Sequence, residues 1–390
     1  MTEDEVGFVP RLILKNLLPI WQGEKKRVSM SSFEVAVLGN LRRNAPHREG
    51  EPADAWGDLD SESTMMALVE ALEKGGHRSY FLEGDMSLPA NLARLRPDMC
   101  FNLCEGLFGD SREAHIPAVL EMMGIPYTGS RVLTQALCLD KAMTKRLLST
   151  HGIPTAPFQV FRSPRERRNP RLRFPLFVKP NREGSGMGIS PKSIVRDEAE
   201  LRTQVAYITE TYQQEALVER YIEGRELTCG LVGNENPHVF PVMEIDLSTS
   251  PADQLGLYTN HIKHDIPETP TYRCPAPLDE AMTMMIKRLT VQVFHAVGAL
   301  DVSRVDLRID QHDGKPYVLE INTLPGLTPG ISDLVIVAAA DGIDHTQLVN
   351  MIFDAAVKRL NLQPRARRAR TTRRALRTQA IQVPAYAPAL

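Results

Sequence analysis

No apolar run in the sequence reaches the roughly 18 residues that a membrane-spanning helix needs. Paired cysteines are missing too. Cys100, Cys104, Cys138, Cys229 and Cys274 are scattered and odd in number, without a CxxC pair or a His-rich partner segment, so a disulfide framework or a cysteine metal site is not indicated. They read as reduced, mostly buried thiols of a cytoplasmic protein. The acidic start MTEDE is wrong for a signal peptide. Charge of one sign is also lacking: a formal net charge of −2 exerts no global pull toward nucleic acid. Finally, neither GxxxxGK[ST] nor a Rossmann glycine fingerprint occurs in its proper strand-to-helix setting.

What is present is a chain of 390 residues, 43% apolar, enough to bury real cores and to divide into two or three domains. An apolar patch from Leu12 to Trp21 predicts a leader helix within residues 1–30. Phe33 to Leu38 reads as a buried strand ending at Gly39. Residues 42–60 are polar and irregular. Ser61 caps a helix that Gly75-Gly76 stops, and strands at 79–82 and 99–104 complete the βαβ rhythm of an open parallel sheet. A helix over 112–123, a short strand at 125–127 and a long helix from Ser130 to about Thr150 follow, carrying Lys141 and Lys145. Phe174 to Pro180 is a strand ending in Lys179, and the glycines at 184, 186 and 188 permit a tight turn whose N–H groups can close round phosphate oxygens. A hairpin turn is the plain alternative. Strands at 216–222 and 226–232 flank Glu223-Gly224. Glu219 and Glu226 bracket that turn, where a hinge could hold an adenine and a ribose or simply present solvated glutamates. Residues 246–275 read as a long loop, a candidate lid with His261, Lys263, His264 and Asp265. Helices over 279–298, from Ser332 and over 346–360 complete the globular part. Beyond Pro364 the tail is basic and predicted disordered, with an anionic partner as its candidate ligand.

The chain is organised around Val302 to Leu327. Val305, Leu307 and Ile309 alternate with Arg304, Asp306 and Arg308, and Asp313-Gly314 is hairpin chemistry returning Glu320 and Asn322 beside Asp306. Two carboxylates and an amide oxygen make an all-oxygen site suited to magnesium or manganese rather than zinc. A solvated strand face is the competing reading.

These motifs together resemble the D-alanine:D-alanine ligases of the ATP-grasp superfamily. The resemblance runs from about Phe33 to Leu362, through GIPYTGS (124–130), LDK (139–141), VKPNREGSGMG (178–188), VERYIEGRELT (218–228), SRVDLRID (303–310) and LEINTLPGLTP (319–329). It implies an α/β ATP-grasp fold of three domains: an open parallel N-terminal domain over 31–135, a central ATP-grasp domain over 136–225 and a C-terminal one over 226–363, with a tail over 364–390. It further implies ATP with two Mg2+ or Mn2+ ions, amino-acid or small-peptide substrates, and a cytoplasmic role in peptidoglycan synthesis. A homodimer is admitted. Position by position, Lys141 and Lys179 resemble the phosphate lysines, and Glu183, Gly184, Ser185, Gly186 and Gly188 the covering loop. Glu219, Arg220, Tyr221 and Ile222 resemble the adenine hinge, and Glu226 the ribose carboxylate. Asp306, Glu320 and Asn322 match the metal ligands, Arg304 and the Gly326 N–H the oxyanion donors, Lys263 a lid lysine, and Ser332 and His264 substrate contacts. The sequence departs where the family's first-substrate glutamate is expected. Leu59 falls there, with Asp58, Asp60 or Glu62 as substitutes, and the family's His-Gly is Glu105-Gly106. The lid tyrosine is His264, similar to ligases that take a hydroxy acid. A ligase for another amino acid, peptide or hydroxy acid, and a nucleotide-binding protein without catalysis, stand as alternatives.

Overall fold

The computed structural model describes residues 32–46, 49–248, 257–260, 262 and 270–364. The proposed leader, the lid residues Lys263 and His264, and the basic tail lie outside the described residues.

The apolar run after Phe33 forms β1 (Glu34–Gly39), flanked in parallel by β2 (Arg78–Glu83) and β3 (Met99–Asn102). Helix α1 (Glu62–Lys74) joins β1 to β2, and the Ser61 hydroxyl accepts the Thr64 N–H at its start. Helices α2 (Leu88–Leu95) and α3 (His115–Met123) follow. Residues alternate between two cores: Val35 and Val37 pack toward α1, whereas Ala36 and Leu38 meet Leu88, Leu92 and Leu120. The strand expected at 125–127 is a single bridge, Cys100 to Tyr127, in which the Cys100 N–H meets the Pro126 carbonyl and the Thr128 N–H the Cys100 carbonyl, while the Asn102 N–H goes to the Thr128 side chain.

The helix expected from Ser130 to Thr150 is two helices, α4 (Val132–Leu139) and α5 (Lys141–Thr150). Asp140 leaves the helical region at ψ 97° and its carboxylate caps the Met143 N–H at 2.9 Å. That break makes Lys141 the first residue of a new helix. Ser130 does not cap α4; its hydroxyl accepts the Leu300 N–H instead.

The central sheet is antiparallel in the order β4-β7-β5-β6, built from β4 (Phe158–Phe161), β5 (Leu176–Pro180), β6 (Ile194–Val195) and β7 (Ala216–Arg220). Its apolar face packs on α6 (Glu198–Thr211) through Leu201, Val205 and Ile208. The C-terminal sheet comprises β8 (Gly224–Val232), β9 (His238–Val239), β10 (Met243–Asp246), β11 (Thr271–Arg273), β12 (Val302–Asp310) and β13 (Pro316–Asn322). Its main order is β11-β10-β8-β12-β13, with β9 on β8. Thr271–Arg273, read from the sequence as loop, is therefore an edge strand, which three pairings to β10 hold in place. One face carries α7 (Glu280–Ala296); α8 (Asp333–Ala340) and α9 (His345–Arg359) pack on the other. Helix α9 also reaches the first sheet, where Phe353 meets Phe33 edge-on at 5.5 Å.

Candidate active site

The hairpin β12–β13 pairs Arg304 with Asn322 and Asp306 with Glu320, and the register shifts just after Asp306. The period-2 pattern buries Val305 and Leu307, leaving Arg304, Asp306, Glu320 and Asn322 half-buried. Asp306 is heavily held. Arg304 donates from Nε and Nη2 at 3.0 and 2.9 Å, Thr228 Oγ1 donates at 2.6 Å and the Asn322 amide at 2.8 Å. Glu320 Oε2 stands 3.2 Å from Lys141 Nζ. Half a turn of the Asn322 amide would offer its oxygen beside the two carboxylates, giving the hard donors that Mg2+ or Mn2+ takes. Among the described residues no cluster of three or more His, Cys, Asp or Glu suits a metal. A cation here would rest on these three side chains together with oxygens brought by a nucleotide.

Glu219 on β7 lines a cleft between the central and C-terminal sheets, and its carboxylate is taken up by lysines. It lies buried between two ammonium groups, Lys145 Nζ at 2.7 Å and Lys179 Nζ at 2.9 Å. Burial alone would raise its carboxyl, but those two charges pull it down to about 2. Burial pushes the Lys145 ammonium down, whereas Lys179 ends above its ordinary value because Glu219 and Glu320 outweigh burial. Lys145 went unread as a site residue, although its i, i+4 spacing from Lys141 on α5 signals a shared face.

That cleft opens between the central and C-terminal sheets. Phe177, Ile189, Tyr221, Ile222, Leu227 and Leu319 give it apolar walls, and Lys179, Glu226, Arg304, Asp306 and Glu320 line its charged parts. Arg308, a third member of the β12 alternation, organises the hinge. It donates twice to Glu226 Oε2, at 3.1 and 2.6 Å, and once to the Ile222 carbonyl at 3.1 Å. Arg220 lines the cleft and pairs with Asp310 at 2.7 Å.

A second cleft adjoins the first and shares Tyr258, Arg304, Glu320 and Asp333 with it. Lys141, Gly184, Ser185, Asn322, Gly326 and Ser332 also line it. A Cβ at Gly326 would fall 2.8 Å from Ser332 Oγ, so that hydroxyl, which accepts the Thr328 N–H at 2.9 Å, would have to shift. The far end of this cleft is acidic, with Asp58, Asp60, Glu105 and Glu113. Asp58 is paired with Arg112 at 2.9 Å. Burial, reinforced by the Asp58 charge, raises Asp60 to about 7. Burial likewise raises Glu113 to about 7, against the pull of Arg112, and Glu105 well above the carboxylate range, with Glu113 adding to the effect. Of the substitutes named for the family's glutamate, Asp58 and Asp60 line this cleft, whereas Glu62 is exposed, paired with Arg43 and outside it. Leu59 is buried.

Glu183 and Gly188, predicted phosphate contacts, stand outside both clefts. The Glu183 carboxylate takes Arg112 at 3.1 Å and Gln214 at 2.6 Å, while its carbonyl accepts Lys141 Nζ. The Gly188 N–H goes to Asp54 Oδ2 at 2.8 Å, and Asp54 Oδ1 accepts the Tyr212 hydroxyl at 2.7 Å. The polar 49–60 stretch therefore folds onto the glycine loop. Gly186, at φ 70°, lies against the backbone of 258–260, where a Cβ would come within 2.8 Å of Asn260 N.

Three layered sheets with a charged hairpin between two clefts define an ATP-grasp fold. The solved D-alanine–D-alanine ligase from Bacillus anthracis complexed with ATP superposes with a TM-score of 0.66 at 23% identity, covering 85% of this chain and 99% of that one. The structure from Coxiella burnetii gives 0.63 at 23% identity, covering 85% and 95%. The D-ala D-ala ligase C-terminus model matches residues 147–354. A D-alanine–D-alanine ligase of Pelotomaculum thermopropionicum is 31% identical over 317 residues, 78% of this chain and 94% of that protein. The uncharacterized protein y4sG of Sinorhizobium fredii is 38% identical over 301 residues, 75% and 87% respectively. The chain belongs to the D-alanine–D-alanine ligase family. Among the described residues no helix is long and apolar enough to cross a membrane.

Proposed function

We propose that the chain is an ATP-dependent carboxylate–amine ligase that joins D-alanine to D-alanine, or a closely similar amino-acid pair, through an acyl phosphate. The observation that carries this reading is the hairpin face at the junction of two clefts, where Arg304, Asp306, Glu320 and Asn322 meet Lys141. In this reading ATP occupies the first cleft, with its base against the Tyr221–Ile222 hinge, its ribose at Glu226 and its phosphates toward Lys179 and Lys141. Mg2+ on Asp306, Glu320 and Asn322 would neutralise charge on the transferred phosphoryl group. The loop through Ser185 and Gly186 screens that region from water. Arg304 and the Gly326 N–H are aimed at the oxyanion that develops when the amine attacks. The donor's ammonium lies at the acidic end, against Asp60 with Glu105 and Glu113, in place of the family's glutamate. The domain limits in this reading are 31–135, 136–225 and 226–363, the last cut falling just inside β8, which begins at Gly224.

The test is ADP release from Mg-ATP across D- and L-amino acids, D-lactate and dipeptides, with mass spectrometry of the product. D-alanine-dependent release with the dipeptide formed supports the reading. Turnover with a different pair only reassigns the substrates, and ATP binding without turnover on any of them overturns the ligase assignment.

A further inference from the structure

One carboxylate at the junction of the clefts has no part in the scheme above. Asp333 opens α8, is 7% exposed and lines both clefts. Among the described residues its polar contacts are long. Oδ2 is 3.4 Å from Arg304 Nη1, and Oδ1 is 3.5 Å from the Tyr258 hydroxyl, which in turn lies 2.7 Å from the Tyr272 hydroxyl. Fixing Arg304 is already the work of Asp306, which engages Nε and Nη2 of the same guanidinium at normal distances. Burial pushes both phenols up, so neither competes as an anion. Asp333 is thus a buried carboxyl with acceptor capacity to spare, beside the guanidinium that faces the acyl oxygen.

We propose that Asp333 is the catalytic proton acceptor for the attacking amine, an inference that rests on the ligase reading. The acceptor arrives as an ammonium. One N–H proton passes to an Asp333 oxygen, and the freed lone pair forms the C–N bond to the acyl carbon. The carbonyl π pair moves onto the oxygen facing Arg304. On collapse that pair re-forms the carbonyl and the C–O bond to phosphate breaks with its electrons. The second N–H proton leaves with the phosphate, and Asp333 releases the first to solvent.

The experiment compares the wild-type chain with Asp333→Asn, giving each Mg-ATP and the acyl donor together with either an amino-acid acceptor or hydroxylamine. Hydroxylamine is uncharged at neutral pH and needs no base. The expected result is amide formation down by about 100-fold or more, with hydroxamate formation kept within about twofold. The residual amide rate should climb with pH as the acceptor's own ammonium titrates, and Asp333→Glu should restore part of the lost rate. Retained hydroxamate formation also reports that the variant is folded. Equal loss with both nucleophiles would overturn the proposal and make Asp333 a positioning residue for Arg304. Loss with neither would overturn it outright. A wild-type chain that yields neither ADP nor hydroxamate with any donor removes the ligase reading, and this inference with it.

Discussion

Individual side chains at the site are held by charges distant in sequence, and two of them give sharp tests. Glu113 has its ordinary carboxyl value raised to about 7 by burial. A raised acid favours the folded state fully below its ordinary range, and that contribution is lost as pH climbs through about 7. Glu113→Gln should therefore stabilise the fold by about 1–3 kcal/mol near pH 8 and change little near pH 5, as read from urea melts. The metal assignment is tested separately. Glu320→Gln should lower Mg2+-dependent turnover by about 100-fold or more, with an unchanged melting temperature; near-normal turnover would remove Glu320 from the metal set. At this scale the sequence was legible only where pattern sufficed. Arg304, Asp306, Glu320 and Asn322 declared themselves by alternation around a turn. Lys145 did not, because its role depends on Glu219, which lies across the fold on β7.

At the scale of elements, the 49–60 stretch acts on the glycine loop through Asp54, which ties Gly188 to Tyr212. Releasing that tie frees a backbone N–H and the glycine loop, which on the proposed reading closes over phosphates. Asp54→Ala is expected to raise the KM for ATP about three- to tenfold with a smaller change in kcat, consistent with losing about 1 kcal/mol of loop positioning. Steady-state kinetics at saturating amino acid checks this, and an unchanged KM would separate the stretch from nucleotide handling. Its irregularity was readable from polar composition; its contact with residue 188 was not. The break at Asp140 has the same origin. Apolar residues continue through 132–148, so helical periodicity gave no warning, and the stop comes from Asp140 capping a fresh helix that carries Lys141.

Across the whole molecule, α9 belongs by sequence to the C-terminal region yet completes the core under the first sheet. Phe353 packs between Phe33 and His77, with ring centroids at 5.5 and 4.5 Å. Phe353→Ala should cost about 3–5 kcal/mol in equilibrium unfolding, and a loss below about 1 kcal/mol would deny α9 that role. What the sequence by itself determined is local in origin: the strand and helix periods, the glycine-rich turn, the alternating charges of β12 and β13, and the motifs that match one family. Those signals need only neighbouring residues, because backbone geometry imposes periods of 2 and 3.6. The tertiary structure alone decided that Asp60, Glu105 and Glu113 converge at one end of the second cleft, that Glu219 clasps two lysines, and that Asp333 stands at the junction with its acceptors underused. Each depends on how burial and charge combine between segments far apart in the chain, and no local period encodes such distances.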